Sequence, residues 1–227
     1  MKSSKIAVVG GTGPQGKGGL AYRFAAAGWP VVIGSRSVER AEEAALEVRR
    51  RAGDGAVVSA ADNASAAADC PIIVLVVPYD GHRELVSELA PHFAGKLVVS
   101  CVNPLGFDKS GAYGLDVEEG SAAEQLRDLV PDATVVAAFH HLSAVNLWEH
   151  EGPLPEDVLV CGDDRSAKDE VARLAVAITG RPGIDGGALR VARQLEPLTA
   201  VLINVNRRYK TRSGLAVNGV VHDPRAA

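Results

Sequence analysis

The sequence is poor in cysteine and has no long apolar run, and these absences exclude several classes of protein. Its 227 residues include 3 cysteines, Cys70, Cys101 and Cys161, with no CxxC pair. An odd number of widely spaced cysteines argues against a disulfide framework, so we expect a reducing compartment, the cytoplasm. The apolar run at residues 72–77 is much too short to cross a bilayer, and no membrane segment is predicted.

No sign of charge predominates. The chain has 24 Lys and Arg against 28 Asp and Glu, a formal net charge of -4, and the basic residues are scattered among acids. Nucleic acid is therefore not an expected partner. A metal is not expected either, because His140 and His141 are adjacent and on a strand would point to opposite faces.

What the chain does contain is a regular alternation of apolar runs and helical stretches. The runs rich in β-branched residues are IAVVG, VVIG, AVVS, IIVLVV, LVVSC, TVVAAF and DVLVCG. Such strands, separated by helices, are typical of a parallel sheet covered on both faces. The sequence thus predicts an α/β, doubly wound parallel sheet, with covering helices that include residues 38–52 and 165–179.

The pattern changes after Gly186 and Gly187. Residues 188–209 have helical spacing and are nearly apolar from 198 to 205. Such a helix must be buried against its own domain or against a second subunit, and Pro197 is expected to bend or split it. We therefore expect a nucleotide-binding domain at residues 1–185 and a helical C-terminal segment at 186–227 that forms a homodimer interface.

A glycine-rich loop follows the first apolar run. Gly11, Gly13 and Gly16 form GxGxxG between a strand and a helix that carries Leu20. In the dinucleotide fingerprint the first glycine makes the turn, the second admits the pyrophosphate and the third lets the helix pack on the strand. The loop predicts a Rossmann-type fold, and the alternative of a plain glycine turn is less consistent with this strand and helix context.

The residues after the second strand indicate which dinucleotide binds. Ser35 and Arg36 stand where NAD-preferring domains carry an acid. A hydroxyl and a guanidinium offer donors to a 2′-phosphate, so NADP is favoured over NAD. Arg40, one helical turn further on, either adds a second positive charge or pairs with nearby acids.

Three further groups of residues follow apolar runs, at 78–80, 102–105 and 140–143. Ligands of open parallel sheets bind at the carboxyl ends of the strands, so these groups should line one cleft with the glycine loop. The alternative for Pro78 and Pro104 is that they stop strands. For Tyr79 and Asn103 it is that they make turn hydrogen bonds.

The chain lacks the acid and base groups of an alcohol dehydrogenase. It has no Ser, Tyr and Lys at helical spacing, and the C-terminal helical stretch offers Arg190 and Arg193 instead of a lysine. Arginine rarely gives up a proton. A hydride transfer between two bound cofactors needs positioning more than acid and base groups.

Several segments together resemble one family, the NADPH-dependent coenzyme F420 reductases, or F420:NADP oxidoreductases, of the actinobacterial type. They are GGTGPQGKG, VVIGSR, VVPYDGH, VVSCVNPLGFDKSGAYG, EEGSAAEQ, AAFHHLSAVNLW, VLVCGDD and NVNRRYK. The resemblance implies an oxidoreductase that passes a hydride reversibly between NADP(H) and the deazaflavin coenzyme F420.

The resemblance also implies which residues bind each cofactor. For the dinucleotide they are Gly11, Thr12, Gly13, Pro14, Gln15, Gly16, Ser35, Arg36, Arg40, Tyr79, Asn103, Leu105 and Ala144. For the deazaflavin they are His140, Leu142, Pro197 and Thr199, so the C-terminal segment would complete that site. His140 is the sole candidate for a catalytic residue, and the alternative is a strand-end histidine satisfied within the protein. The alternative for Thr199 is a bond back to its own helix.

Two other functions remain open at this level. One is an NADPH-dependent reductase of a small ketone or imine, which would need His140 as proton donor. The other is a non-catalytic sensor that binds NADP, whose mark would be an intact glycine loop with a blocked nicotinamide end.

Overall fold

The structure is a computed structural model, and it describes residues 4–12 and 18–220. The strands within these residues are β1 (Ile6–Val9), β2 (Val31–Ser35), β3 (Val58–Asp62), β4 (Ile72–Leu75), β5 (Leu97–Ser100), β6 (Leu105–Asp108), β7 (Gly111–Gly114), β8 (Thr134–Ala137), β9 (Leu159–Gly162) and β10 (Ile184–Gly187). The α-helices are α1 (Gly19–Ala26), α2 (Val38–Ala52), α3 (Asn63–Asp69), α4 (His82–Leu89), α5 (Ala122–Leu129), α6 (Ala144–Glu149), α7 (Arg165–Thr179) and α8 (Ala192–Tyr209).

Eight of these strands form one sheet in the order β10-β9-β8-β5-β4-β1-β2-β3. The chain begins at β1, adds β2 and β3 on one side, and then crosses to β4 on the other side of β1. The six strands from β8 to β3 pair in parallel. This order confirms the doubly wound α/β prediction, with the change of direction between β1 and β4.

The far edge of the sheet corrects the expectation of a wholly parallel sheet. Strand β9 runs antiparallel to β8, and β10 runs parallel to β9. A buried apolar run has the same composition in either direction, so the segment DVLVCG predicted a strand without fixing its direction.

Alternate side chains of each central strand enter two separate cores. In β1, Ile6 and Val8 pack on the face covered by α1, α2 and α7, whereas Ala7 and Val9 pack on the face covered by α3, α4 and α5. Burying a Val, Leu or Ile side chain contributes about 1.5–3 kcal/mol. These two layers therefore fix the sheet, and with it the positions of the strand ends.

Helices α2 and α7 occupy the predicted residues and begin at hydrogen-bonded caps. Ser37 Oγ accepts from the backbone N–H of Arg40 at 3.3 Å, and Asp164 Oδ1 accepts from that of Ala167 at 2.7 Å. Helix α8 runs through Pro197 as one element, so the proline does not split it. No helix among the described residues is long and apolar enough to span a membrane.

Two features of the fold were not predicted. The antiparallel hairpin β6–β7 packs against α8, and β10 spans the expected boundary between residues 185 and 186. The turn of the hairpin had a sequence signal, because Asp108 and Gly111 stand at the first and last positions of a four-residue turn. Asp108 Oδ1 accepts from the backbone N–H groups of Ser110 and Gly111, at 2.7 and 3.1 Å.

Gly10 follows β1 and lies close to the residues that follow β4, at the carboxyl edge of the sheet. Its φ is +77°, and an added Cβ would lie 2.4 Å from Val77 Cγ1 and 2.8 Å from the backbone oxygen of Val76. Gly28 is a matched control, because its φ is +87° but a Cβ there meets nothing within 4 Å. We expect Gly28→Ala to cost about 1–2 kcal/mol of unfolding free energy, from the positive φ alone.

We expect Gly10→Ala to cost at least about 2 kcal/mol more than the control, because overpacking is added to the backbone strain. Urea unfolding of both variants measures the difference. Equal losses would contradict the close approach of the two strands.

Candidate functional site

A cleft of about 870 Å³ opens where β4, β5 and β8 end. Its volume lies within the range of about 300–1,000 Å³ that is common for small-molecule sites. Seven of the residues expected to bind cofactors line it, namely Tyr79, Asn103, Leu105, His140, Leu142, Ala144 and Thr199. The prediction that three strand ends line one cleft is confirmed, and α8 supplies another wall, but Gly11 and Thr12 of the glycine loop are not among the described residues that line it.

One hydrogen-bonded group joins three of these residues. Asn103 Nδ2 and Thr199 Oγ1 both donate to the backbone oxygen of His140, at 3.2 Å each, and Thr199 Oγ1 also lies 3.1 Å from Asn103 Oδ1. Thr199 therefore bonds across the cleft, not to its own helix. Asn103 likewise links two strand ends to α8 and does not close a local turn.

His140 and His141 follow β8 in a turn that begins with a strained backbone. Phe139 has a φ of +66°, a conformation that is rare for a bulky residue, while its ring packs edge-on against Phe24 with centroids 6.0 Å apart. Both histidines line the cleft, so the expectation that they point to opposite faces of a strand was wrong. Strand β8 ends at Ala137, before the alternation can reach them.

Burial keeps both imidazoles neutral at neutral pH. It lowers the pKa of His140 to about 3, with a smaller contribution from His141, and it also lowers the pKa of His141. His141 Nε2 bonds to the backbone oxygen of Leu195 at 2.8 Å, whereas His140 Nε2 has no hydrogen-bond partner among the described residues. His140 can thus offer a neutral hydrogen bond, but it is a poor proton donor.

Glu196 fixes the start of α8 against α5. Its two carboxylate oxygens accept from the backbone N–H groups of Ala122 and Ala123, at 2.8 and 3.0 Å, within the first turn of α5. The neighbouring Arg193 forms an ion pair with Glu124 at 2.7 Å. Burial is the main reason that the pKa of Glu196 is raised to about 7, although the two backbone donors oppose it.

Two exposed arginines lie near the end of β2. Ser35 is buried and its Oγ lies 3.0 Å from Thr12 Oγ1. Arg36 and Arg40 are exposed, and their guanidinium groups have no ion-pair or hydrogen-bond partner within residues 4–12 and 18–220. The alternative that Arg40 pairs with nearby acids therefore finds no support among the described residues.

The described ends of the glycine loop are held close together. The backbone N–H of Gly18 donates to the oxygen of Gly11 at 2.9 Å, and a Cβ added at Gly19 would lie 2.7 Å from Leu147 Cβ. Gly19 thus packs against α6, a requirement that the sequence analysis missed although the glycine doublet marks it. The predicted residues Gly13, Pro14, Gln15 and Gly16 lie outside the described residues.

Pro197 is not among the residues that line the cleft. A Cβ added at Gly114 would lie 2.7 Å from Pro197 Cβ, so the proline packs closely against β7. The cleft residues that were not predicted include His82 and Gln125, because a single histidine and a single glutamine have no distinctive spacing. Within the described part of the chain, no cluster of His, Cys, Asp or Glu is arranged to hold a metal ion.

The doubly wound sheet, with a cleft at its carboxyl edge and free cations after β2, defines a dinucleotide-binding α/β protein. A family model described as "NADP oxidoreductase coenzyme F420-dependent" matches residues 5–104. The F420-dependent NADP reductase of Methanothermobacter thermautotrophicus is 39% identical over 92% of each chain, and that of Methanocaldococcus jannaschii is 37% identical over 92% of this chain and 95% of its own. The chain therefore belongs to the family of F420-dependent NADP oxidoreductases.

A solved structure agrees with this placement. The crystal structure of a putative F420-dependent NADP-reductase from Arthrobacter sp. FB24 superposes with a TM-score of 0.78 at 27% identity, covering 95% of this chain and 100% of that one. The similarity thus extends through the cleft and the C-terminal helix, beyond the residues that the family model matches.

Because the pKa of Glu196 is raised, we expect the stability of the folded protein to depend on pH. Its folded-state pKa of about 7 exceeds the ordinary value of 4.5, so the folded protein favours the protonated carboxyl. This contribution to stability is complete below the ordinary pKa and is lost as the pH rises through about 7. We expect Glu196→Gln to make the fall in Tm between about pH 5 and about pH 8 smaller by about 2–4 °C, which corresponds to about 1 kcal/mol.

Differential scanning fluorimetry across this pH range measures the slope. Glu118→Gln is the control, because Glu118 is exposed and its carboxylate has no partner within the described residues. Identical slopes for the wild type and Glu196→Gln would contradict the assignment.

Proposed function

We propose that this chain catalyses reversible hydride transfer between NADP(H) and coenzyme F420. The observation that carries the proposal is the cleft of about 870 Å³, in which strand ends meet a C-terminal helix within a chain of this family. The relatives named above, F420-dependent NADP reductases, match over nearly the whole of their length. NADPH would donate the hydride from nicotinamide C4, the oxidised deazaflavin would accept it at C5, and the reverse reaction would run from reduced deazaflavin to NADP⁺.

The proposed division of the site follows its charges. Arg36, Arg40 and Ser35, with Thr12 beside them, are suited to a 2′-phosphate because they offer two free guanidinium groups and hydroxyl donors. Tyr79, Asn103, Leu105 and Ala144 would lie beside the nicotinamide. His140, Leu142 and Thr199 would contact the deazaflavin, and Pro197 would support it indirectly by packing α8 against β7.

The protein's part in this reaction is mainly positioning. The bonds from Asn103 and Thr199 to His140 hold two strand ends and α8 in fixed relation, which favours a close approach of two rings. The neutral histidines are therefore weak proton donors. The ketone or imine reductase is less consistent with a pKa of about 3 for His140, and the sensor is less consistent with an open cleft.

Three finer points belong to the same proposal. Residues 1–185 would bind the dinucleotide and residues 186–227 would complete the deazaflavin site. The exposed side chains of Val201 and Tyr209 on α8, 54% and 71% accessible, suit a homodimer interface. The cytoplasm is the proposed location.

A direct assay tests the activity. The purified protein is mixed with NADPH and oxidised F420, and the visible absorbance of the deazaflavin is followed. Bleaching is the expected result, and flavin mononucleotide in place of F420 is the control for a general flavin reductase. Absence of bleaching would overturn the proposal; reduction of a ketone or imine panel, or NADPH binding without turnover, would then favour one of the other two functions.

Arg36→Ala tests the choice of dinucleotide. A charge-assisted hydrogen bond contributes about 1.5–3 kcal/mol, so we expect KM for NADPH to rise at least about tenfold while KM for NADH hardly changes. Arg50→Ala is the matched control, since Arg50 is an exposed arginine near the other end of α2. An unchanged preference for NADPH over NADH in Arg36→Ala would contradict the role of Arg36.

A further inference from the structure

His82 is a buried histidine in the cleft that none of the predicted contacts uses. It is the first residue of α4, it is 1% exposed, and it lines the cleft next to Tyr79. The rings of Tyr79 and His82 are stacked, with centroids 6.0 Å apart and planes inclined by 27°. The imidazole therefore has a fixed plane and a fixed position relative to the cleft.

The amide of Gln125 has only one orientation that satisfies its neighbours. Its Nε2 donates to Glu119 Oε2 at 3.1 Å and lies 3.5 Å from the hydroxyl of Tyr79. Arg83 forms an ion pair with the same carboxylate, which keeps Glu119 ionised and able only to accept. Rotating the amide by 180° would place Gln125 Oε1 against Glu119 Oε2, and both atoms are acceptors. Gln125 Oε1 must therefore face His82.

This orientation determines which nitrogen of His82 carries the proton. His82 Nδ1 lies 2.9 Å from Gln125 Oε1, and an amide oxygen only accepts, so Nδ1 must donate. Burial lowers the pKa of His82, and Arg83 lowers it further, so the ring is neutral at neutral pH. A neutral imidazole that is protonated at Nδ1 has a bare lone pair at Nε2.

That lone pair has no partner among the described residues. His82 Nε2 is buried and accepts no hydrogen bond from them. An unpaired buried polar atom costs free energy, and native proteins keep few of them without a ligand or an ordered water to pair with. His82 lines the cleft, so a ligand there is the natural source of the missing donor.

We propose that His82 is a binding residue whose Nε2 accepts a hydrogen bond from an N–H or O–H group of a cofactor in the cleft. The identity of the cofactors rests on the proposed function. NADP(H) offers the carboxamide N–H and the ribose hydroxyls, and the deazaflavin offers a ring N–H and side-chain hydroxyls. The Arg83, Glu119 and Gln125 chain holds His82 in the tautomer that accepts.

Two substitutions distinguish loss of the Nε2 acceptor from loss of the folded structure. His82→Asn places an amide near the Nδ1 position, so it keeps the bond to Gln125 but loses the acceptor at Nε2. His82→Gln places an amide oxygen near the Nε2 position, so it can restore the acceptor. His92→Asn is the matched control, because His92 is a partly exposed histidine outside the cleft.

The readouts are the Kd for NADPH, from nicotinamide fluorescence, and the KM for F420. We expect His82→Asn to raise one of them about 5- to 100-fold, as when a buried donor loses its acceptor, and His82→Gln to recover part of the loss. A change in the Kd for NADPH assigns the donor to NADP(H), and a change confined to the KM for F420 assigns it to the deazaflavin. No change in either value, or equal losses in the two variants without rescue, would overturn the proposal.

A measurement on the wild-type protein covers the case in which a variant fails to fold. Long-range proton and nitrogen NMR spectra of the six histidines, assigned through correlations of each ring with its own backbone, report the state of His82 Nε2. Its resonance should be that of a bare nitrogen in the free protein and should move upfield when NADP⁺ or F420 is added. No movement with either compound would overturn the proposal, and this result does not depend on turnover, so failure of the F420 assay remains a separate finding.

Discussion

Asn103 and Thr199 both donate to the backbone oxygen of His140, and most of the candidate site depends on this shared acceptor. Through it, the end of β5, the turn after β8 and the helix α8 have one fixed arrangement. The oxygen is available because Phe139 turns the chain with a positive φ while its ring remains in the core against Phe24. Packing of the Phe139 ring therefore stabilises a strained backbone at the edge of the sheet, and this backbone fixes the position of the cleft wall.

The arginines that follow β2 and the histidines of the cleft differ in charge, and burial accounts for the difference. After β2 the cations Arg36 and Arg40 remain in solvent, where an ionised group costs little and a phosphate can replace its water. Within the cleft the pKa values of the three histidines His82, His140 and His141 are lowered. Under the proposed function, phosphate recognition and ring recognition would therefore use different chemistry at two parts of one sheet edge.

The sequence predicted those parts of the fold and site that depend on local pattern. The bounds of α2 and α7 follow from apolar spacing and capping residues, and the meeting of Tyr79, Asn103 and His140 follows from the rule for parallel strand ends. The antiparallel direction of β9 could not be predicted, because apolar composition does not encode direction. The roles of His82 and Gln125 depend on side chains that are 43 residues apart, and no spacing within a single sequence reveals such a bond.

Burial also bears on which reactions the cleft can support. Reduction of a ketone or imine leaves a basic atom on the product, and a protein usually supplies its proton. With a pKa of about 3, His140 carries too little imidazolium near neutral pH to donate that proton. The arginines of α8 keep their protons as well. Hydride addition to a deazaflavin leaves its charge spread over a conjugated ring, which can take its proton from solvent, so the desolvation that disables His140 as an acid is more consistent with the two-cofactor reaction.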